Sequence, residues 1–184
     1  MEIIVIDPTY DHPNRDREKF IEDLKNYVLG LSNDVQLNDT DIGRAASLPG
    51  VLLIIGGLFF LGDKINKNLE AWTSLAKKFK MFLVKIGREF GGYRIDETGA
   101  TLLAIERILN LEQGSISSIE KICGNILTIY PLMVRELDGL NKKPDALYVQ
   151  IFKVNENSVY IFGIKSKGLI EIEYKINTAD WMGF

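Results

Sequence analysis

The chain has little of the residue chemistry on which metalloproteins and many hydrolases depend. Its 184 residues include one cysteine, Cys123, and one histidine, His12. A single thiol forms no internal disulfide, so a reducing compartment and a cytoplasmic location are expected. The same counts exclude a structural zinc site, which takes four cysteine or histidine ligands. Because the sequence places no activating group near Cys123, we expect this thiol to be a buried structural residue.

Catalytic and phosphate-binding signatures are also missing. The chain has no Gly-x-Ser-x-Gly nucleophile elbow, and any serine nucleophile would depend on the single histidine. The glycines of Gly87–Gly92 match neither a P-loop nor a dinucleotide fingerprint, so this segment is interpreted as a β-turn. These absences predict no catalytic residues, no metal and no cofactor, and they make an enzymatic function the less favoured interpretation.

An excess of positive charge and a membrane-spanning apolar run are absent as well. The chain has 22 Lys and Arg against 25 Asp and Glu, a net charge of −3, so no nucleic-acid partner is expected. Met1–Asp7 lacks the basic and apolar regions of a signal peptide. The longest apolar stretch, Leu48–Leu61, is shorter than the roughly 20 residues that span a bilayer. A membrane is therefore not an expected partner.

Periodic patterns define the N-terminal elements. The β-branched run Glu2–Ile6 predicts a buried strand. Arg15–Leu29 predicts a helix, because its apolar residues fall on one stripe at helical spacing, and Asn14 or Asp16 is expected to cap it. Asp34–Leu37 predicts a short strand.

The apolar stretch Ser47–Gly62 has two interpretations. Val51–Ile55 can form a buried parallel strand that a Gly-Gly turn follows, as in a Rossmann-like domain. Alternatively, one long helix runs from about Pro49 to about Phe79, because apolar residues recur every three or four positions along this length. We favour the long helix, although its three glycines each cost a helix interior roughly 1 kcal/mol.

The residues after this stretch predict a helix end and a hairpin. Three basic residues, Lys77, Lys78 and Lys80, are expected near the C-terminus of the long helix, where cations favour the helix dipole. Met81–Ile86 then predicts a strand, with Tyr93–Ile95 as its hairpin partner.

The C-terminal part is richer in strand patterns. Asp96 or Thr98 is expected to cap a helix that runs to Leu109, and Ser117–Cys123 predicts a short helix. Four β-rich runs follow, joined in part by hairpin-type connections: Asn125–Met133, Ala146–Val154, Ser158–Lys165 and Leu169–Ile176.

The last of these runs alternates apolar and charged residues. Four apolar residues are expected on one face, namely Ile170, Ile172, Tyr174 and Ile176. The other face is expected to carry Glu171, Glu173 and Lys175. An alternation of this kind is typical of an antiparallel sheet that packs one face and exposes the other to water.

Together these patterns predict an α+β fold. A βαβ-like N-terminal part with a long central helix precedes an antiparallel β-meander. Residues 1–113 form the α/β part and residues 114–184 the β-rich part, and we expect the two to pack as one unit.

Two groups of residues are candidate sites. The loop after the first strand carries the densest group of functional side chains and suits a small ligand bound beyond the end of a strand: Asp7, Asp11, His12 and Arg15. An apolar helix with a Gly-Gly pair allows close approach of another helix, so a candidate interaction surface consists of Leu58, Phe59, Phe60 and Trp72.

The layout of residues 15–109 resembles a known family. A charged helix and a short strand lead to the apolar segment Ile54–Leu61, to a helix with the motif Leu69-Glu-Ala-Trp72 and a basic end, and then to a strand and a last helix. This layout resembles the effector-associated constant component of bacterial conflict systems, small α+β domains that couple effectors to sensor or activator proteins. The resemblance implies a bacterial adaptor-type role without catalytic residues. The first strand and the β-rich C-terminal third depart from that layout.

The leading hypothesis is therefore a non-enzymatic protein-interaction module, an adaptor or immunity-type protein. Its expected partner is another protein or a second copy of itself. The alternative is a Rossmann-like enzyme or small-ligand sensor that uses the Asp7–Arg17 loop, and it requires a strand at Val51–Ile55. Peripheral membrane association through the apolar stretch is a second alternative.

Overall fold

The structure, a computed structural model, describes residues 1–6, 16–28, 34–41, 49–55, 69–90, 92–112, 116–129 and 145–178. These residues form three helices and two four-stranded sheets, so the predicted α+β class is confirmed. The helices are α1 (Arg17–Val28), α2 (Leu69–Glu89) and α3 (Glu97–Leu111). The strands are β1 (Glu2–Ile6), β2 (Val35–Asp41), β3 (Pro49–Ile55), β4 (Gly92–Ile95), β5 (Ile119–Ile129), β6 (Asp145–Val154), β7 (Ser158–Lys165) and β8 (Ile170–Asn177).

The first sheet has the strand order β2-β3-β1-β4, and every neighbouring pair is antiparallel. The predicted strands at its start, β1 and β2, are confirmed. Ile3 lies opposite Leu53, and Val5 lies opposite Val51, and all four side chains are fully buried. The strand order makes β3 and β1 the two central strands of the sheet. Their β-branched and leucine side chains suit such a buried pleated surface.

The long helix predicted from about Pro49 is wrong, because Pro49–Ile55 is strand β3. This strand pairs with β2 on one side and β1 on the other, so its backbone groups complete two ladders. A short run that is apolar at every position fits a central strand as well as a helix, and periodicity alone does not separate them. The strand interpretation of Val51–Ile55 is confirmed, but its pairing is antiparallel where a Rossmann-like domain has parallel strands.

Helix α2 begins later and ends later than predicted. Its apolar spacing starts at Leu69 and continues through Phe82, Leu83 and Ile86, which are buried with Phe79. The predicted strand Met81–Ile86 is therefore wrong, since these residues keep the three-and-four spacing of a helix. The β-turn predicted to begin at Gly87 is also wrong, because α2 runs through that glycine to Glu89.

Helix α3 occupies the centre of the molecule. It contacts α2, strands β1 and β4 of the first sheet, and strands β6 and β7 of the second. Most of its residues are buried, as expected for a helix that is apolar on all sides. Asp96 caps its N-terminus, as predicted: the carboxylate accepts hydrogen bonds from Gly99 N at 2.9 Å and from Glu2 N at 2.7 Å. One side chain thus joins the helix start to β1.

The second sheet is an antiparallel meander in the order β5-β6-β7-β8, which confirms the prediction for this region. The short helix predicted at Ser117–Cys123 is wrong, because β5 starts at Ile119 and pairs with β6. The β6–β7 hairpin turns through Asn155 and Glu156, which both have positive φ. The two sheets meet where Ile95 N donates a hydrogen bond of 2.8 Å to Ser166 O.

Candidate interaction surface

The residues predicted as sites fall mostly outside the described part of the chain. Asp7, Asp11, His12 and Arg15 lie there, as do Leu58, Phe59 and Phe60. Trp72 is described: it lies in α2, is half-buried, and packs against the core. Asp16 is described as well, and its carboxylate accepts a hydrogen bond of 3.0 Å from Lys19 N, as predicted for a capping residue of α1.

The inner face of the second sheet is closed by α3. Alternate residues of β6 and β7 are buried, among them Tyr148, Phe152, Tyr160 and Phe162. Gln150 belongs to the same set, and its Nε2 donates hydrogen bonds to groups of α3. Because side chains alternate between the two faces of a strand, the residues between these buried ones point away from α3.

Those intervening residues make up an apolar outer face. They alternate with the buried set along β6 and β7 and continue by strand register onto β5 and β8. The apolar residues of the outer face are Leu127, Leu147, Val149, Ile151, Val159, Ile161, Ile172, Tyr174 and Ile176. Tyr174 is 64% exposed and Leu127 is 50% exposed, while the other seven are half-buried. Cys123 and Asn125 lie on the same side of β5, opposite Ile151 and Val149.

The outer face has no cover from the described elements. Among the described residues, α3 is the helix that packs broadly on this sheet, and it does so on the inner side. The buried core and the side chains packed against it do not include any of the nine apolar residues of the outer face. A contiguous apolar face of this kind on a sheet marks an interaction surface more often than a chance surface feature.

Strand β8 shows the opposite orientation from the one its sequence favours. Its charged residues point to α3: Arg107 donates to both carboxylate oxygens of Glu173, at 2.7 and 3.1 Å, and Lys175 Nζ donates to Glu112 at 2.7 Å. Its apolar residues Ile172 and Tyr174 consequently belong to the outer face. Among the described elements, the charged side is therefore the one that packs.

The prediction that Ile170 shares a face with Ile172, Tyr174 and Ile176 is wrong. The register between β7 and β8 shifts at Gly163/Ile164, so that Ile164 lies opposite Ile170 and Gly163 lies opposite Ile172. One extra residue in β8 moves Ile170 to the inner face, where it packs against the core. The shift leaves three apolar β8 residues on the outer face.

Charged side chains border the outer face in oppositely charged pairs. Glu120 and Lys153 are cross-strand neighbours at one end, and Lys165 and Glu171 form an ion pair at the other. An apolar centre with a polar, mixed-charge rim is the usual composition of a protein–protein interface.

Cys123 lies on the outward side of β5, opposite Ile151, and is exposed. The prediction that this thiol is buried is wrong, because β5 is an edge strand in the described sheet and the outward side of Cys123 has no cover from described elements. The sequence carried no signal for this, since an isolated cysteine in an apolar run is typical of a core position.

A polar cluster lies between α3 and the sheet. Lys121 Nζ donates to Glu97 Oε1 at 2.9 Å and to Thr101 Oγ1 at 3.2 Å, and Gln150 Nε2 donates to the same Thr101 hydroxyl at 2.8 Å. Gln150 is fully buried, and its Oε1 has no hydrogen-bond partner among the described residues. The cluster ties β5 and β6 to α3 through Lys121 and Gln150.

Two titratable groups near the N-terminus of α3 are shifted by burial. Burial raises the pKa of the Asp96 carboxyl, while the hydrogen bond from the Gly99 backbone N–H opposes that change. Burial, with smaller contributions from Asp96 and Glu97, raises the pKa of Tyr148 to about 12. The Tyr148 hydroxyl donates to Ile95 O at 2.9 Å, so it acts as a structural donor between the two sheets.

Within the described residues, no three His, Cys, Asp or Glu side chains converge as metal ligands would. None of the described helices is long and apolar enough to cross a membrane. Comparison of the chain with protein-family models, with curated proteins and with solved structures produced no match.

Proposed function

We propose that this protein is a non-enzymatic interaction module that docks a second copy of itself on the outer face of the β5–β8 sheet. The observation that carries the proposal is the apolar outer face, which no described element covers. The adaptor or immunity-type role in a bacterial conflict system, which the layout of residues 15–109 implies, stays a prediction and is consistent with such a module.

The size of the outer face suits a specific interface. Four strands of about eight residues each cover roughly 19 by 26 Å, a flat area of roughly 500 Å² before the protruding side chains are counted. Standard interfaces bury roughly 800 Å² per partner. Two such sheets would pack about 10 Å apart with interdigitated side chains, as in a β-sandwich.

The charge pattern supports a second copy as the occupant. A symmetric dimer brings the same surface patch together with itself, so the patch must be complementary to itself. The rim of the outer face has two acidic and two basic residues, Glu120, Glu171, Lys153 and Lys165. Its centre carries no charge, so an identical copy meets no net repulsion.

A charge placed at the centre of the outer face tests the proposal. Ile161 lies between Ile151 on β6 and Tyr174 on β8. We expect the wild-type chain to have twice its 20.8 kDa mass in light scattering after size exclusion. Ile161→Lys should shift the protein to the monomer, because a desolvated unpaired ammonium is costly at an interface. Its helix and strand content by circular dichroism should not change.

Val84→Lys is the matched control, because it places the same charge on a 46% exposed β-branched residue of α2. This variant should remain a dimer. Tyr174→Ser, on the 64% exposed neighbour of Ile161, provides a second variant if Ile161→Lys does not fold. A wild-type chain that stays monomeric at every concentration tested would contradict the proposal, as would equal dissociation of the Val84 and Ile161 variants.

A further inference from the structure

Helix α2 carries an exposed stripe with one basic residue at each end and two apolar residues between them. Lys77, Met81, Val84 and Arg88 fall within about 60° of the helix circumference and extend about 16 Å along its axis. We call these four residues the α2 stripe. Met81 is 65% exposed, the most exposed of the large apolar residues in the described chain. Lys80 and Lys85 flank the stripe. A shallow hollow of about 500 Å³ lies along its Met81–Arg88 part, and Glu89 also lines it.

The charge of α2 differs from that of the whole protein. The helix has five Lys and Arg and two Glu, a net charge of +3, while the chain as a whole has −3. The helix dipole does not account for Lys77, Lys78 and Lys80, contrary to the sequence interpretation. Lys77 and Lys78 lie more than two turns before the C-terminus of α2, and the effect of the dipole ends within the last turn.

The two cations of the α2 stripe differ from the two that flank it in having no ion pair among the described residues. Lys80 is held by both carboxylate oxygens of Glu106, at 2.7 and 2.8 Å, and Lys85 lies 3.9 Å from the ring centre of Tyr27. Lys77 and Arg88 differ from these two, since neither forms an ion pair within the part of the chain that the structure describes. Two cations that no described carboxylate pairs therefore lie about three turns apart, with apolar side chains between them.

We propose that the α2 stripe binds an acidic amphipathic segment of a partner protein. Carboxylates of that segment pair with Lys77 and Arg88, and an apolar side chain between them covers Met81 and Val84. Methionine suits such a contact because its flexible side chain adapts to the surface that meets it. Opposite charges on the two surfaces speed association and fix its orientation.

The composition of the stripe favours a protein segment over other anions. The aromatic residues Phe79 and Phe82 point into the core, so they are not available for base stacking or for insertion into a bilayer. Met81 and Val84 would gain nothing from a phosphate, whereas they bury apolar area against an amphipathic peptide.

The proposal is tested on the full-length chain with three anionic probes. These are a labelled helical peptide with a face of Leu and a face of Glu, poly-glutamate of the same charge, and vesicles that contain phosphatidylserine. Fluorescence anisotropy should show that the amphipathic peptide binds at least tenfold more tightly than poly-glutamate. Raising the salt concentration should weaken this binding, because exposed charges are screened.

Variants separate the ionic contacts of the stripe from its apolar contacts. Lys77→Glu with Arg88→Glu should weaken binding of the amphipathic peptide at least tenfold, and Met81→Ser with Val84→Ser should weaken it while leaving poly-glutamate binding unchanged. Lys19→Glu with Lys167→Glu is the charge-matched control on exposed residues elsewhere, and it should bind like wild type.

Three outcomes would overturn the proposal: equal loss in the control and stripe variants, equal binding of poly-glutamate and peptide, or tighter binding to the vesicles than to the peptide. The last would assign the stripe to an anionic membrane surface. Because the stripe lies on α2 and not on the outer face, these results do not depend on whether the chain dimerises.

Discussion

Glu112 shows at the scale of one residue how the end of α3 is joined to the second sheet. Its Oε1 accepts a hydrogen bond of 2.5 Å from the Tyr160 hydroxyl and one of 2.7 Å from Lys175 Nζ. The hydrogen bonds from Lys175 and Tyr160 hold the pKa of Glu112 below its ordinary value of 4.5. The same contacts explain why the charged side of β8 turns toward the helix.

Glu112→Gln should therefore change the pH dependence of stability. A carboxyl whose pKa is lower in the folded chain contributes stability above its unfolded pKa, and this contribution is lost as the pH falls through the folded value. We expect the variant to be less stable by about 1 kcal/mol at neutral pH, since the pair is partly exposed. The difference should shrink below about pH 4.5. Urea unfolding at several pH values measures it, and a difference that does not vary with pH would contradict this account.

Single residues also show the limits of prediction from sequence. The caps Asp16 and Asp96 were predictable, because a short acidic side chain before an apolar stripe has a local structural meaning. The exposure of Cys123 and the pairing of Lys121 with Glu97 depend on which strands become neighbours. No local pattern contains that information.

At the scale of elements, prediction succeeded where the periodicity was unambiguous. Helices α1 and α3 and the last three strands follow clear spacings of 3.6 or 2 residues. Strand β3 was the less favoured of two interpretations, because the apolar run Val51–Ile55 fits both a central strand and a helix. The C-terminal part of α2 was misassigned for a related reason: Met81–Ile86 is an almost continuous apolar run that also fits a strand, although its apolar positions continue the stripe that starts at Leu69.

The contact between β7 and β8 requires a glycine at position 163, and the sequence pattern does not show this requirement. A Cβ added at Gly163 would lie 2.9 Å from three side-chain carbons of Ile172, which crosses over the glycine. Gly163→Ala should destabilise the protein by about 1–3 kcal/mol, the usual cost of overpacking.

Ile172→Ala in the same chain relieves the contact, so the double variant should lose less than the sum of the two single changes. Chemical unfolding of all four proteins in the cycle measures this coupling. Strict additivity of the two changes would show that Ile172 does not occupy the space above Gly163.

At the scale of the described elements taken together, α3 is enclosed by α2 and by both sheets, and the apolar outer face of the second sheet is not covered by any of them. The sequence predicted the meander, which is confirmed. The interaction module and its candidate surface of Leu58, Phe59, Phe60 and Trp72 stay predictions. The outer face could not be found from sequence, because the alternation in β8 shows that its two faces differ without showing which face α3 covers. The salt bridges of Arg107 and Glu112 decide that question.

The central claim is that two copies meet through the outer face. A mixed sample of isotope-labelled and unlabelled chains allows nuclear Overhauser effects between different molecules to be observed selectively. We predict such signals between methyl groups of Ile151, Ile161 and Ile172 and protons of the second copy. Their absence in a sample that contains both chains at high concentration, or their location on buried residues of α2, would contradict the claim.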